Sequence, residues 1–185
     1  MRKIAPLLFL LAISTLHAQF GKNCEVRQWK INGFSPGIEY EQGIGVNTTF
    51  DVRLAIQPAL DPAVAEPLEE IAIFPALTLQ TRFYHNLGQR FRNGRKAFGN
   101  SGNYIAPTVA IFGPEERIAN NRLVDGPQGY GGLVYGIQRT IGDGFSISFD
   151  AGAGYYVGPF RGGIHPVANI SIGWIVSEKR WCVGK

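Results

Sequence analysis

Charge is scarce in this chain. Only 17% of its 185 residues are Asp, Glu, Lys or Arg, and lysine is missing from every alternating segment described below except Cys24 to Gly33. A soluble β-barrel turns one strand face to water and needs abundant Lys and Glu on it, so their shortage counts against a soluble surface. Long apolar runs are also lacking. After the first eighteen residues no segment reaches the roughly 18 consecutive apolar residues of a transmembrane helix, and no segment repeats its apolar residues with a helical period. The formal net charge of +4 includes Arg2 and Lys3, and no basic stripe interleaved with stacking aromatics remains to suggest a nucleic-acid partner.

Cysteine is reduced to Cys24 and Cys182. Cys24 follows Gly21-Lys22-Asn23 and lies well past the leading apolar run, which does not resemble a lipoprotein cleavage site. A disulfide between the two is permitted in an oxidising compartment, and two unbonded thiols is the other reading.

What the chain does have is a leader and alternation. Residues 1–18, MRKIAPLLFLLAISTLHA, carry a positive start, an apolar run and a small residue before Gln19; this is the pattern of a secretory signal peptide. The expected organisation is a signal peptide at 1–18 and one β-barrel domain at 19–185. Twenty-four glycines sit inside apolar alternating segments and not in one tract, which suits curved, closely approaching strands.

The clearest segment is Phe145 to Val157. Phe145, Ile147, Phe149, Ala151, Ala153, Tyr155 and Val157 fall on one face, and Ser146, Ser148, Asp150, Gly152, Gly154 and Tyr156 on the other. Gly142-Asp143-Gly144 supplies a turn before it. Its length and low charge match a tilted membrane-spanning strand of about 9 to 11 residues plus its ends. Similar alternation marks 34–43, 46–57, 71–85, 103–113, 130–141 and 164–176. Cys24 to Gly33, with Val26, Trp29 and Ile31 as its apolar members, is the weakest and becomes a strand because bacterial outer-membrane barrels have even counts.

Between these lie three long connections. Pro58 to Glu70 and Pro114 to Gln128 read as loops, and Pro75 as an end or bulge. Asn86 to Gly102, with Arg90, Arg92, Arg95 and Lys96, reads as a basic loop: a solvated turn, or a contact for anionic lipid headgroups. The fold expected is all-β, an up-and-down antiparallel transmembrane β-barrel of about eight strands. Both ends of the barrel domain then lie on the periplasmic side with Cys24 near Cys182. The basic loop falls on that side too, where connections are usually short.

Alternation does not say which face is inside, and a lipocalin-like barrel has the same pattern with its faces exchanged. The polar face consists mostly of Ser, Thr, Gly, Asn and Gln, which fill a lumen better than they solvate a surface. Its charges, Glu39, Glu41, Asp51, Arg53, Arg82 and Asp150, have both signs. They are expected to pair inside, with Arg53 and Arg82 compensating the four acids.

GIEYE at 37–41, RFYHNLGQR at 82–90 followed by GNSGNYIA at 99–106, and YGIQRTIGDGFSISFDAGAGY at 135–155 resemble small outer-membrane β-barrel proteins of Bacteroidetes. The resemblance covers most of the chain after the leader and consists of strand-and-turn style. It implies an outer-membrane location in a porin-like family mostly without assigned activity. The chain departs from a common barrel pattern in ending WCVGK and not on an aromatic residue.

No catalytic, cofactor or metal residues are assigned. Gly152-Ala153-Gly154 has no third glycine at nucleotide-binding spacing and no following helix. His85 and His165 lack Cys or Asp at ligand spacing. Nothing in spacing selects a Ser101, His85 and Glu39 set as a hydrolytic triad. Eight strands leave an interior just wide enough for side chains, against a pore. The expected function is a small outer-membrane barrel, its lumen filled by side chains, with a structural or surface-interaction role. The alternatives are a soluble exported lipocalin-like carrier and a barrel enzyme acting on envelope lipid. The expected partner is outer-membrane lipid.

Overall fold

The computed structural model describes residues 24–59, 72–95, 97–113, 115–117, 123–124, 128–158 and 162–182. The leader at 1–18 and most of the Pro58 to Glu70 segment therefore lie outside the described residues. Eight long strands form the body: β1 (Cys24–Phe34), β2 (Gly37–Gly43), β3 (Thr48–Ala59), β4 (Ala72–Tyr84), β5 (Asn103–Phe112), β8 (Gln128–Ile141), β9 (Phe145–Val157) and β10 (Gly162–Cys182). Two short strands, β6 (Glu115–Arg117) and β7 (Leu123–Val124), pair with each other, and β6 also pairs with β4. Every long strand pairs antiparallel with its neighbours, and β1 pairs with β10, so the eight close into a ring. The doubtful first strand is thus real and completes the barrel.

The ring is strongly sheared. Bridge partners followed from Lys30 through Glu39, Arg53, Thr78, Ala110, Tyr130 and Tyr156 lead to Gly163 on β10, whereas the partner of Lys30 there is Ile175. That offset of twelve residues tilts the strands steeply to the barrel axis.

One end of the barrel, the cysteine end, holds Cys24 and Cys182, the turns at 44–47 and 142–144, and the 85–102 connection. The other, the loop end, carries the turn at 35–36, the last residues of β3, β5 and β9 and the first residues of β4, β8 and β10.

The alternation maps onto inside and outside along the strands, with register shifts in the β1–β10 pairing between Trp29 and Lys30 and between Asn32 and Phe34. Each strand contributes an exposed apolar residue to the outer wall: Ile31, Ile38, Leu54, Leu77, Val109, Leu133, Phe149 and Ile170. The polar partners point in, and Gln28, Glu39, Asp51, Arg82, Gln138 and Asp150 are each 0–1% exposed. A one-residue register slip would exchange these faces throughout a strand. Gly136 illustrates the tight interior, since a Cβ there would run into the Tyr104 ring.

Several boundaries differ from expectation. Pro58 does not end β3, which stays paired with β4 through Ala59. Pro75 makes no bulge against β3, where it sits opposite Ile56; its carbonyl accepts from Gly113 N at 2.7 Å. Pro114 to Gln128 is not one loop, because β6, β7 and the start of β8 fall within it. The largest correction concerns Asn86 to Gly102. It contains a short helix, α1 (Leu87–Arg92), and a helical turn at Phe98–Asn100, and Leu87, Asn100 and Ser101 are buried.

Candidate functional site: the charged lumen and its plug

Period-two geometry on neighbouring strands concentrates charge at the cysteine end. Three cations and four carboxylates, all buried, face the lumen: Lys30, Arg53 and Arg82 against Glu39, Glu41, Asp51 and Asp150. Glu39 accepts from Lys30 Nζ at 2.7 Å, Arg53 Nε at 3.1 Å and Arg82 Nη1 at 3.3 Å. Arg82 also donates through Nη2 to Asp51 at 2.9 Å and lies 5.0 Å from the Tyr104 ring centre. Glu41 accepts from Lys30 at 3.2 Å, Thr49 at 2.8 Å and Tyr84 at 2.9 Å, and from Gln28.

Burying so many ions is costly, and such a cluster is tolerable when its lone pairs and protons are matched. Glu39 and Glu41 meet that condition. Asp51 Oδ2 and Arg53 Nη2 make no hydrogen bond.

Two expectations need correction. Asp150 makes no ion pair among the described residues, and Arg53 acts on it only through space; its oxygens accept from Asn169 Nδ2 at 2.7 Å, Tyr104 OH at 3.1 Å and Gln80 Nε2 at 3.3 Å. The third cation, Lys30, was absent from the expected network. Its signal was present in the sequence, because Gln28, Lys30 and Asn32 alternate with the outward Trp29 and Ile31.

The 97–102 segment seals this end. Asn100 Nδ2 donates to Glu41 at 2.7 Å. Gln138 donates through its side chain to Glu41 at 3.2 Å and to Gly99 O at 2.8 Å, and through its backbone N–H to Gly102 O at 2.8 Å. Ser101 Oγ accepts from Thr140 N at 2.8 Å and donates to Phe98 O at 2.7 Å. Gly99 and Asn100 both adopt the left-handed region, at φ 58 and 56°. Glycine takes it freely and asparagine tolerates it. At Gly99 a Cβ would also press on Thr140 and Ile175.

The Ser101, His85 and Glu39 set is not assembled. Ser101 is bound within the plug, Glu39 is held by three cations, and His85 is exposed outside with its ring 5.7 Å from Tyr135. His165 packs 6.4 Å from the Tyr156 ring toward the loop end. Oxygens of Glu39, Glu41 and Asp51 lie within 4.8 Å of one another, close enough to share a cation. Lys30, Arg53 and Arg82 already neutralise them.

On the outer wall, Pro107 has no N–H to donate, and β4 and β5 record no bridge at Thr81 or Arg82. A groove of about 410 Å³ lies there, lined by Phe50, Leu79, Pro107, Val109 and Gly131 among others. No described helix is long and apolar enough to cross a membrane. No protein-family model, curated protein or solved structure matches this chain.

Proposed function

We propose that this protein is a small outer-membrane β-barrel of the Bacteroidetes type, its eight strands crossing the bilayer, with a structural or surface-interaction role. The carrying observation is the partition of residues across the wall: all eight strands turn apolar side chains outward while charges and amides are buried within. A monomer in water rarely exposes an apolar patch larger than a few hundred Å², and here the apolar face runs round the whole ring. In a bilayer it meets acyl chains, and the closed ring leaves no unpaired edge.

The plug and the ion network argue for a closed lumen that conducts little. The lipocalin-like alternative needs an apolar cavity, whereas one half of this lumen holds paired Arg, Lys and Glu and the other is occupied by the packed rings of Phe74, Phe112, Tyr130 and Tyr156. The envelope-lipid enzyme gains no support from the separated Ser101, His85 and Glu39.

Fractionation of cells producing the full chain tests the reading. The protein should pellet with the outer membrane, resist carbonate extraction and require detergent for solubility. Recovery in the soluble fraction without detergent would sink the proposal. Phe149→Arg, near the middle of the outward face of β9, should cost about 2–4 kcal/mol in lipid, read from unfolding titrations in bilayers. A cost near zero would place that face away from acyl chains.

A further inference from the structure

The gap in the β4–β5 ladder leaves one backbone group of the outer wall without its usual donor. Along this pair Gly113 N donates to Pro75 O at 2.7 Å and His85 N to Asn103 O at 3.2 Å. The register between these ends is unbroken, with Gln80 opposite Thr108 and Phe83 opposite Ile105. Alternate opposed pairs of an antiparallel ladder exchange hydrogen bonds, so Thr81 and Pro107 occupy one of the bonding positions. Leu79 and Phe83, two residues away on either side, face the N–H groups of Val109 and Ile105. Thr81 O faces the ring of a proline, which has no N–H.

An unmatched carbonyl is costly in hydrocarbon, where no water replaces the lost donor. Pro107 lies midway along β5, and the outward residues flanking it are apolar and exposed: Ile105 toward the cysteine end, Val109 and Ile111 toward the loop end. The groove at this depth is lined by Phe50, Leu79, Thr81, Pro107, Val109 and Gly131 among others. A Cβ at Gly131 would meet nothing within 4 Å, so the wall is recessed there.

Depth decides between occupants. An acyl chain fills the recess and gives the carbonyl no donor, because a lipid carries its hydroxyls and amides at the headgroup. A second copy inserted the same way round, related by a two-fold axis along the bilayer normal, brings the same residue to the same depth. Thr81 points outward between the buried Gln80 and Arg82, and its hydroxyl can donate. Close approach over small residues, with a threonine hydroxyl bonding across, is also how transmembrane helices associate.

We infer that the groove at Thr81, Pro107 and Gly131 is the contact between two copies of this chain, in which each Thr81 hydroxyl donates to the Thr81 carbonyl of the other copy. The inference rests on the membrane reading and adds a partner and the face that receives it.

The test uses the protein inserted in phosphatidylcholine vesicles, one fluorophore on each chain, with dimers counted by single-molecule photobleaching as lipid dilutes the protein. The wild type should pass from two-step to one-step bleaching across the dilution series. Gly131→Leu, which fills the recess without meeting the barrel's own atoms, should be monomeric throughout. Thr81→Val keeps the shape and removes both symmetric bonds, and should raise the dissociation constant about tenfold. Pro107→Val gives the Thr81 carbonyl its ladder donor; it should weaken the dimer while raising the urea midpoint of the monomer, so that loss of the dimer is distinguished from loss of the fold. One-step bleaching of the wild type at every dilution overturns the dimer, leaves the membrane reading intact and gives the groove to acyl chains. Dimers that survive both Gly131→Leu and Pro107→Val overturn this face as the contact. A wild-type chain that does not insert into the vesicles overturns the membrane reading and this inference with it.

Discussion

The two halves of the lumen are filled by different physics. Toward the cysteine end the contacts are ionic and directional, with Glu41 alone accepting from Gln28, Lys30, Thr49, Tyr84, Asn100 and Gln138. Toward the loop end they are rings: Phe112 packs against Phe74, Tyr130 and Tyr156 at 4.7, 5.9 and 6.0 Å between centroids. Ring packing tolerates substitutions that conserve volume. A carboxylate with six donors tolerates almost none, because removing a cation leaves a buried charge behind. The charged half is therefore the more sensitive to substitution, and the aromatic half the more tolerant.

The largest effect expected at the charged half comes from its open margin, where Cys24 and Cys182 stand opposite each other in the β1–β10 ladder. Opposed residues of an antiparallel pair have Cα atoms about 4.5–5.5 Å apart, inside the range a disulfide bridges. In the oxidising compartment that the proposed location implies, the bond should form and close a loop of nearly the whole barrel, stabilising it by about 4–5 kcal/mol in the chain-entropy model. Comparing urea midpoints of the oxidised and reduced forms measures the difference. Two titratable thiols in protein taken from the envelope would remove the staple from the comparison.

Next in size is Arg82, which spans Asp51, Glu39 and Glu41. Arg82→Gln should cost about 3–5 kcal/mol, Arg53→Gln less because among the described residues Arg53 makes a single ion pair, to Glu39, and Arg95→Gln within about 0.5 kcal/mol. Equal losses at all three in unfolding titrations would erase the distinction between a lumen arginine and a loop arginine.

The sequence carried the strands because each has a buried face and an exposed one, and period two records that directly. In β9, Ser146, Ser148 and Asp150 are buried and Phe149, Tyr155 and Val157 exposed, as the alternation requires. Strand ends at proline were misjudged: Pro58 and Pro75 lie opposite Ile73 and Ile56 within β3–β4, and a register position says nothing about which neighbour needs the missing N–H. The network was legible in membership but not in pairing. Asp150 meets Asn169, Gln80 and Tyr104, which come from three other strands, and which of them it meets depends on all the registers together. The plug was hidden for a different reason. A segment of Arg, Asn and Gly has no apolar period, and its burial depends on Glu41 and Gln138, which come from distant parts of the chain.

Asn100 offers the finest test of the comparison, since it ties that plug to the ion network. Asn100→Ala removes the bond to Glu41 and puts a Cβ-bearing residue without a local polar partner at φ 56°. Glu41 keeps its other donors, so the loss should be modest, about 1–2 kcal/mol. Asn100→Gly separates the two causes, because glycine accepts the backbone angle while the side-chain contacts are lost in both variants. The glycine variant should therefore be the more stable of the two, and in both hydrogen exchange should rise at 97–102 while β2 and β4 stay protected. If exchange rises equally across β2 and β4, the plug is part of the core that holds the charged half together; if it rises at 97–102 alone, the ion network stands without its cover and the segment is a separate, lower-stability unit.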